Sequence, residues 1–329
     1  MSDVPNSPPQ PNLLSDATTF RRERSVSDPV ISVYNLSKRY GSTLAVADVS
    51  LEVHRGEVFG LIGPNGAGKT TTMECLQGHR KPDSGTIRVL ELDPQRDARL
   101  LRQRIGIQHQ EAQLQKRIKV WEAIDLWASL YPNVVDTDEL LQRLGLEGKR
   151  NARFMSLSGG QKQRLFIALA VIHDPEVVFL DELTTGLDPQ ARRAIWELVK
   201  AIRDRGKTVF LTTHLMEEAE RLCDRVGLIE HGRLVEVGTP RALVDRHCPE
   251  RSVVFTSEGA LPDELRELPR AHACETDGFT HTLRGEGDDF VTAVIHAIAS
   301  SGIRVSGFRT EIPTLEDVFL RLTGQRIRD

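Results

Sequence analysis

The sequence predicts an α/β fold with a helical insert and a small α+β unit at its C-terminal end. Three observations carry that reading. Short runs such as Val58–Ile62 and Val177–Leu180 are apolar almost throughout and alternate with helical patterns, as strands covered on both faces do. Between about Ile118 and Asn151 the pattern becomes helix only. Beyond Cys248 a second succession of strands and helices begins.

Residues 1–28 hold Pro5, Pro8, Pro9 and Pro11 with few apolar side chains, too few to offset the entropy of ordering, and predict a flexible tail. Arg21, Arg22 and Arg24 beside Ser25 and Ser27 read as a solvated cluster within it. The main unit is expected over 29–248. Its strands are predicted at Ile31–Leu36, Ala45–Val53, Val58–Ile62, Thr86–Val89, Ile105–His109, Val177–Leu180, Thr208–Thr212 and Val226–Glu230. A helical subdomain is expected at about 112–165, because Ile124, Leu130, Leu140 and Leu144 recur at near-helical spacing and Gly145 and Gly148 end the pattern.

The last unit, 249–329, is expected to run strand Arg251–Thr256, helix Leu261–Leu268, strand Thr280–Leu283, helix Phe290–Ser300, strand Arg304–Phe308, helix Leu315–Leu322. Thr314 is placed to cap the final helix, with Asp317 at the capping-box position. Packing or dimer contact is the expected role of that helix.

The bulk numbers set bounds. A chain of 329 residues has a length prior of roughly two domains. Its net charge of −4 offers no basic footprint, so no nucleic-acid partner is expected. No segment reaches the roughly 18 apolar residues of a membrane span. The start of the chain lacks the basic-then-apolar pattern of a secretion signal. Cys75, Cys223, Cys248 and Cys274 lie far apart with no metal-like spacing, and read as free thiols of a reducing compartment. A cytosolic protein reaching a membrane only through something else is the expectation.

Residues Gly63, Pro64, Asn65, Gly66, Ala67, Gly68, Lys69 and Thr70 satisfy G-x-x-x-x-G-K-[ST] at every fixed position, and Thr71 extends the loop into the next helix. The loop follows the apolar strand Val58–Ile62 and precedes the helical stretch Thr70–Gln77, the context this motif requires. Its glycines let backbone amides turn inward onto phosphate oxygens, and the helix N-terminus adds about half a positive charge at the same spot. Lys69 is expected on the β- and γ-phosphates of a nucleoside triphosphate, and the Thr70 hydroxyl on Mg²⁺. Tyr40, ahead of the loop, has a ring able to stack on a purine base.

The strand Val177–Leu180 ends in Asp181 and Glu182. Two carboxylates at the tip of a buried strand are costly unless their charge is used. Downstream of a phosphate loop, Asp181 is expected to hold Mg²⁺ and Glu182 to orient the attacking water and draw off its proton. His214 ends the neighbouring strand in the same sense and is expected to face the γ-phosphate. Leu157, Ser158, Gly159, Gly160 and Gln161 then read as a helix N-cap leading into an apolar run, a second anion site without an obvious use inside one chain.

That pentapeptide resembles the signature of ATP-binding cassette (ABC) proteins, and the resemblance spans about residues 30–245. It implies a P-loop NTPase cassette with a RecA-like core, an antiparallel β subdomain and a helical subdomain. It also implies two cassettes facing head to tail, a homodimer in which each signature completes the partner's ATP site. By the same resemblance Tyr40 is the adenine-stacking aromatic, Asp181 and Glu182 are Walker B and the catalytic carboxylate, and His214 is the switch histidine. Asp188, in Gly186-Leu187-Asp188, is the D-loop residue bridging the cassettes. Gln110 corresponds to the Mg²⁺-contacting glutamine, with Gln108 as the alternative because the usual proline before that glutamine is missing. Leu183 stands where the family has proline after the glutamate.

The segment Pro313–Leu320 resembles the tail of ATPases from the bacterial drug, antibiotic and lipid exporter branch, the daunorubicin-resistance type. The resemblance implies a subunit that hydrolyses ATP to energise a separate integral membrane permease, docked through the loop after Gln110 and the helical insert, at the cytoplasmic face of the cell membrane. A soluble ABC ATPase acting on ribosomes or DNA is the alternative, disfavoured because the chain has one cassette, no heptad run and no cysteine cluster. A regulatory ATP sensor with a dead site is argued against by Lys69, Asp181, Glu182 and His214.

Overall fold

The computed structural model describes residues 29–109, 113–258, 261–266, 268, 271–287 and 289–324. The tail 1–28 and Gln110 lie outside these described residues. The chain opens with β1 (Pro29–Tyr40) and β2 (Thr43–His54), an antiparallel pair with Ile31 opposite Val53 and Val33 opposite Leu51. Inward-facing Val, Ile and Leu alternate with polar residues along both strands, the signature of a sheet with one wet face. β3 (Val58–Ile62) is buried at all five residues and leads through the glycine-rich loop into α1 (Lys69–Leu76). β4 (Ser84–Val89) then returns to pair with β1, completing a three-stranded antiparallel sheet.

A short helix, α2 (Ala98–Leu101), precedes β5 (Ile105–Gln108). Two insert helices follow, α3 (Val120–Ala128) and α4 (Thr137–Arg143), and then α5 (Gly159–Val171), which starts inside the signature. The remaining alternation is β6 (Val177–Asp181), α6 (Pro189–Asp204), β7 (Thr208–Thr213), α7 (Met216–Leu222), β8 (Arg225–Glu230), β9 (Arg233–Gly238) and α8 (Pro240–His247). The central sheet has the order β5-β6-β7-β3-β8-β9, parallel except for the β8–β9 hairpin. In β3, β6 and β7 every residue is buried, which is why these strands carry no polar alternation.

The C-terminal unit holds β10 (Glu250–Ser257), α9 (Asp263–Arg266), β11 (Ala271–Asp277), β12 (Thr280–Glu286), α10 (Phe290–Ser301) and β13 (Val305–Glu311). Its strands form an antiparallel sheet of order β11-β12-β10-β13, over a core of its own that includes Val253, Phe255, Leu283, Phe290 and Val294. The last helix, α11 (Leu315–Thr323), leaves that core and packs Leu315, Val318 and Phe319 against Leu222, Leu243, Val244 and Cys248 of the main unit. Burying three such side chains stabilises the contact by roughly 1.5–3 kcal/mol each. Asp317 accepts the Thr314 amide at 2.8 Å, so the capping box expected at this helix forms.

Two strands escaped the sequence reading. β9 and β11 are polar or mixed, lie at sheet edges and exist by pairing with β8 and β12. The helix expected over 261–268 contracts to Asp263–Arg266. No helix among the described residues is long and apolar enough to cross a membrane.

Candidate nucleotide site

The glycine-rich loop, the Asp181–Glu182 pair and His214 follow β3, β6 and β7 at their carboxyl ends, and these strands are neighbours in the sheet. The parallel register sets Ile62 beside Thr213 and Asp181 beside Thr212, so residues remote in sequence converge. The loop's curl is enforced by crowding. A Cβ at Gly63 would lie 2.1 Å from the Ile229 carbonyl oxygen. Gly68 has φ +103° and its Cβ would meet the Ala45 carbonyl at 2.4 Å, so no other residue fits there without rearrangement.

Lys69 turns its amine back over the loop, donating to the carbonyls of Gly63 at 2.8 Å and Pro64 at 3.0 Å. Its Nζ is 3.7 Å from Glu182 Oε1, and that same oxygen is 3.5 Å from His214 Nδ1. Burial pulls the Lys69 ammonium below its ordinary pKa, while Glu182 and Asp181 push it back up. Asp181 is buried, and burial raises its carboxyl above the usual range against the hydrogen bond from Thr212. The Thr70 side chain also works to lower the pKa of this carboxyl, so a hydroxyl and a carboxylate face the same region.

Gln108, at the end of β5, is buried and accepts the Asp181 amide at 3.2 Å, which sets it behind the acidic pair. Glu182 itself adopts φ +47°, a left-handed conformation, with its amide donating to the Thr212 carbonyl at 3.1 Å.

A cavity of about 460 Å³ opens over the loop, lined by Tyr40, Asn65, Lys69, Thr70, Thr71 and Glu182 among others. Lys38 Nζ and Arg80 Cζ lie 5.7 and 5.4 Å from the centroid of the Tyr40 ring, within cation–π range. The signature residues Leu157–Gln161 do not line this cavity. Ser158 caps α5, exchanging hydrogen bonds with Gln161, and is solvent-exposed. Asp188 caps α6 by accepting the Ala191 amide at 2.9 Å, and it too is exposed. A Cβ at Gly160 would lie 3.0 Å from Ala191 Cβ, so signature and D-loop share one surface.

The sequence reading missed the buried contacts behind these groups, above all Glu218, 1% exposed, which bonds Thr184 and Trp196. Glu218 stands among Glu217, Glu220 and Arg221 in a charged helix, and nothing local distinguished it from them.

Comparison with known proteins gives the family and the fold. The ABC transporter family matches residues 46–185. Over 313 residues the chain is 40% identical to the Nod factor export ATP-binding protein I of Sinorhizobium fredii, covering 93% of this chain and 89% of that protein. The protein of the same description from Bradyrhizobium diazoefficiens is 41% identical, with coverages of 92% and 99%. A solved structure described as the ATP-binding subunit of an ABC transporter superposes with a TM-score of 0.60 at 29% identity, covering 66% of this chain and 92% of that one.

Proposed function

The chain belongs to the ABC transporter family as an ATP-hydrolysing subunit that energises a membrane exporter, and we propose that it works as half of a head-to-tail pair. ATP hydrolysis at this site is supported by the meeting of Lys69 and His214 on one oxygen of Glu182, and the pairing by the exposed Ser158 cap, which does not line its own chain's cavity. Lys69 serves the β- and γ-phosphates, and Glu182 orients water and accepts its proton as the γ-phosphoryl leaves. His214 holds Glu182 and the γ-phosphate in one frame. Tyr40 offers its ring to adenine.

Mg²⁺ suits the donors present, since it takes one or two oxygen ligands from protein beside phosphates and water. Asp181 and Thr70 supply those oxygens, with Gln110 as the further ligand that the family resemblance implies. When bound, the ion neutralises charge on the phosphate oxygens. The exposed cap at Ser158 supplies its amides to the nucleotide of a second copy, and Asp188 meets that copy beside it.

The permease docks over the groove between β5 and the insert. A cavity of about 400 Å³ there has apolar walls of Ile107, Leu114, Trp127, Tyr131 and Phe166. That attachment places the pair at the cytoplasmic face of the cell membrane. The curated relatives are named for Nod factor export, and cargo choice is assigned to the permease. The drug or antibiotic branch rests on the C-terminal resemblance alone.

The test is the full-length chain with its permease in vesicles. ATP hydrolysis should rise with transported cargo and vanish in Glu182→Gln. Hydrolysis indifferent to cargo and permease would sink the transport reading.

A further inference from the structure

The buried carboxylate of Glu218 has no part in the site described so far. It sits in α7, four residues beyond His214, and is 1% exposed. One of its oxygens, Oε1, accepts the Thr184 hydroxyl at 2.8 Å and the Trp196 indole N–H at 3.1 Å. Thr184 is fully buried and lies two residues past Glu182. Trp196 belongs to α6, the helix that Asp188 caps. A single oxygen therefore ties together the Glu182 turn, the D-loop helix and the segment that carries His214.

A polar side chain in such a place is costly unless its hydrogen bonds are made, and apolar residues of similar volume commonly serve stability as well or better. Its use is found in what the turn requires. Glu182 is held in a left-handed conformation. On one side its amide is fixed to Thr212 of β7. On the other side Leu183 replaces the proline usual in the family, so no ring restrains the turn. The next residue, Thr184, has its side chain anchored to Glu218 and its carbonyl accepts the Leu187 amide at 3.1 Å to close the loop, while the exposed Thr185 hydroxyl donates to Glu182 Oε2 at 3.4 Å. One acceptor oxygen taking two buried hydrogen bonds, from Thr184 and Trp196, suits a pin for a strained turn. A general base displaced by about 1 Å loses on the order of 10²-fold in rate.

We propose that Glu218 is a positioning residue for ATP hydrolysis: it holds Thr184, and through it the Glu182 turn, in register with His214 and the Asp188-capped helix. The proposal rests on the reading of Glu182 as the base. It requires no contact between Glu218 and nucleotide, so binding and turnover should separate.

The experiment compares steady-state ATP hydrolysis by the full-length chain with its permease in vesicles, for Glu218→Ala, Glu218→Gln, Thr184→Val and the double variant Glu218→Ala/Thr184→Val. Glu218→Ala and Thr184→Val should each lower kcat about tenfold or more, with KM for ATP within about threefold. Glu218→Gln keeps an acceptor oxygen and should stay within about threefold of the parent in kcat. The double variant should be no slower than the worse single one, as for two ends of one contact. Thr184→Val is nearly isosteric and guards against a Glu218→Ala chain that does not fold. Normal turnover in Thr184→Val, equal damage in Glu218→Gln and Glu218→Ala, or kcat and KM moving together each overturns the proposal. Glu182→Gln, measured alongside, separates the two layers: parental turnover there removes the base itself, whereas an inactive Glu182→Gln beside a normal Thr184→Val removes only the positioning role.

Discussion

The amine of Lys69 lies 3.7 Å from Oε1 of Glu182, and the two side chains are only 4% and 6% exposed. The cation proposed for the triphosphate and the carboxylate proposed for the attacking water therefore share one enclosed space. Lys69→Ala removes the charge for phosphate and leaves Glu182 without that neighbour. ATP affinity should fall at least about tenfold, or roughly 1.4 kcal/mol, in equilibrium titration with a fluorescent ATP analogue. Unchanged affinity would remove Lys69 from the phosphate site.

Glu182→Gln preserves shape and hydrogen bonding but abolishes the proton acceptor. Turnover should fall roughly 10²–10⁴-fold while ATP still binds. Single-turnover hydrolysis beside a binding titration checks both halves. Near-parental turnover would reassign the base.

The separation of Ser158 from its own chain's cavity predicts complementation. Glu182→Gln chains and Ser158→Arg chains should each be idle alone. An equimolar mixture should recover about a quarter of the parent's hydrolysis, because half the dimers are mixed and each of those has one intact site. A mixture as inactive as its components argues against sites shared between copies.

Phe319, 1% exposed, is the largest side chain that α11 buries against the main unit. Phe319→Ala should destabilise the chain by about 3–5 kcal/mol in urea unfolding. Loss of less than about 1 kcal/mol would mean that the helix is not docked as described.

Cys75 lies in the last turn of α1, the helix that follows the phosphate loop, and burial pushes its thiol up to about 11. Only the thiolate reacts, so at pH 8 about one thiol in a thousand is available even before access is considered. Alkylation of Cys75 followed by mass spectrometry should be negligible at pH 8 and rise about tenfold per pH unit toward 11 in folded protein. Rapid labelling at pH 8 would contradict the enclosed setting.

What the sequence made legible were features whose cause is local. The loop Gly63–Thr70 announces itself through glycine spacing and the apolar strand before it, and the structure places it between β3 and α1. Ser158 and Thr314 are caps because their partners stand three residues away. β9 and β11 were hidden because edge strands with polar sequences are defined by the strand they pair with. Glu218 was hidden for a related reason: its partners Thr184 and Trp196 are 34 and 22 residues distant, and only the packed sheet brings them together. The contact of Gly63 with the Ile229 carbonyl likewise belongs to the neighbour β8, not to the loop.

The docking of α11 also changes what the C-terminal sheet is free to do. The chain enters that sheet from α8 and, after β13, comes back to lie on α7 and α8, where Glu220 accepts the Leu315 amide at 2.6 Å. A module attached by one strand of chain can swing. This one is moored at both ends to the same body, and α7, one of the two mooring points, begins two residues after His214. The outer sheet is thus held to one body at both of its ends, which leaves it far less room to pivot than a module on a single tether.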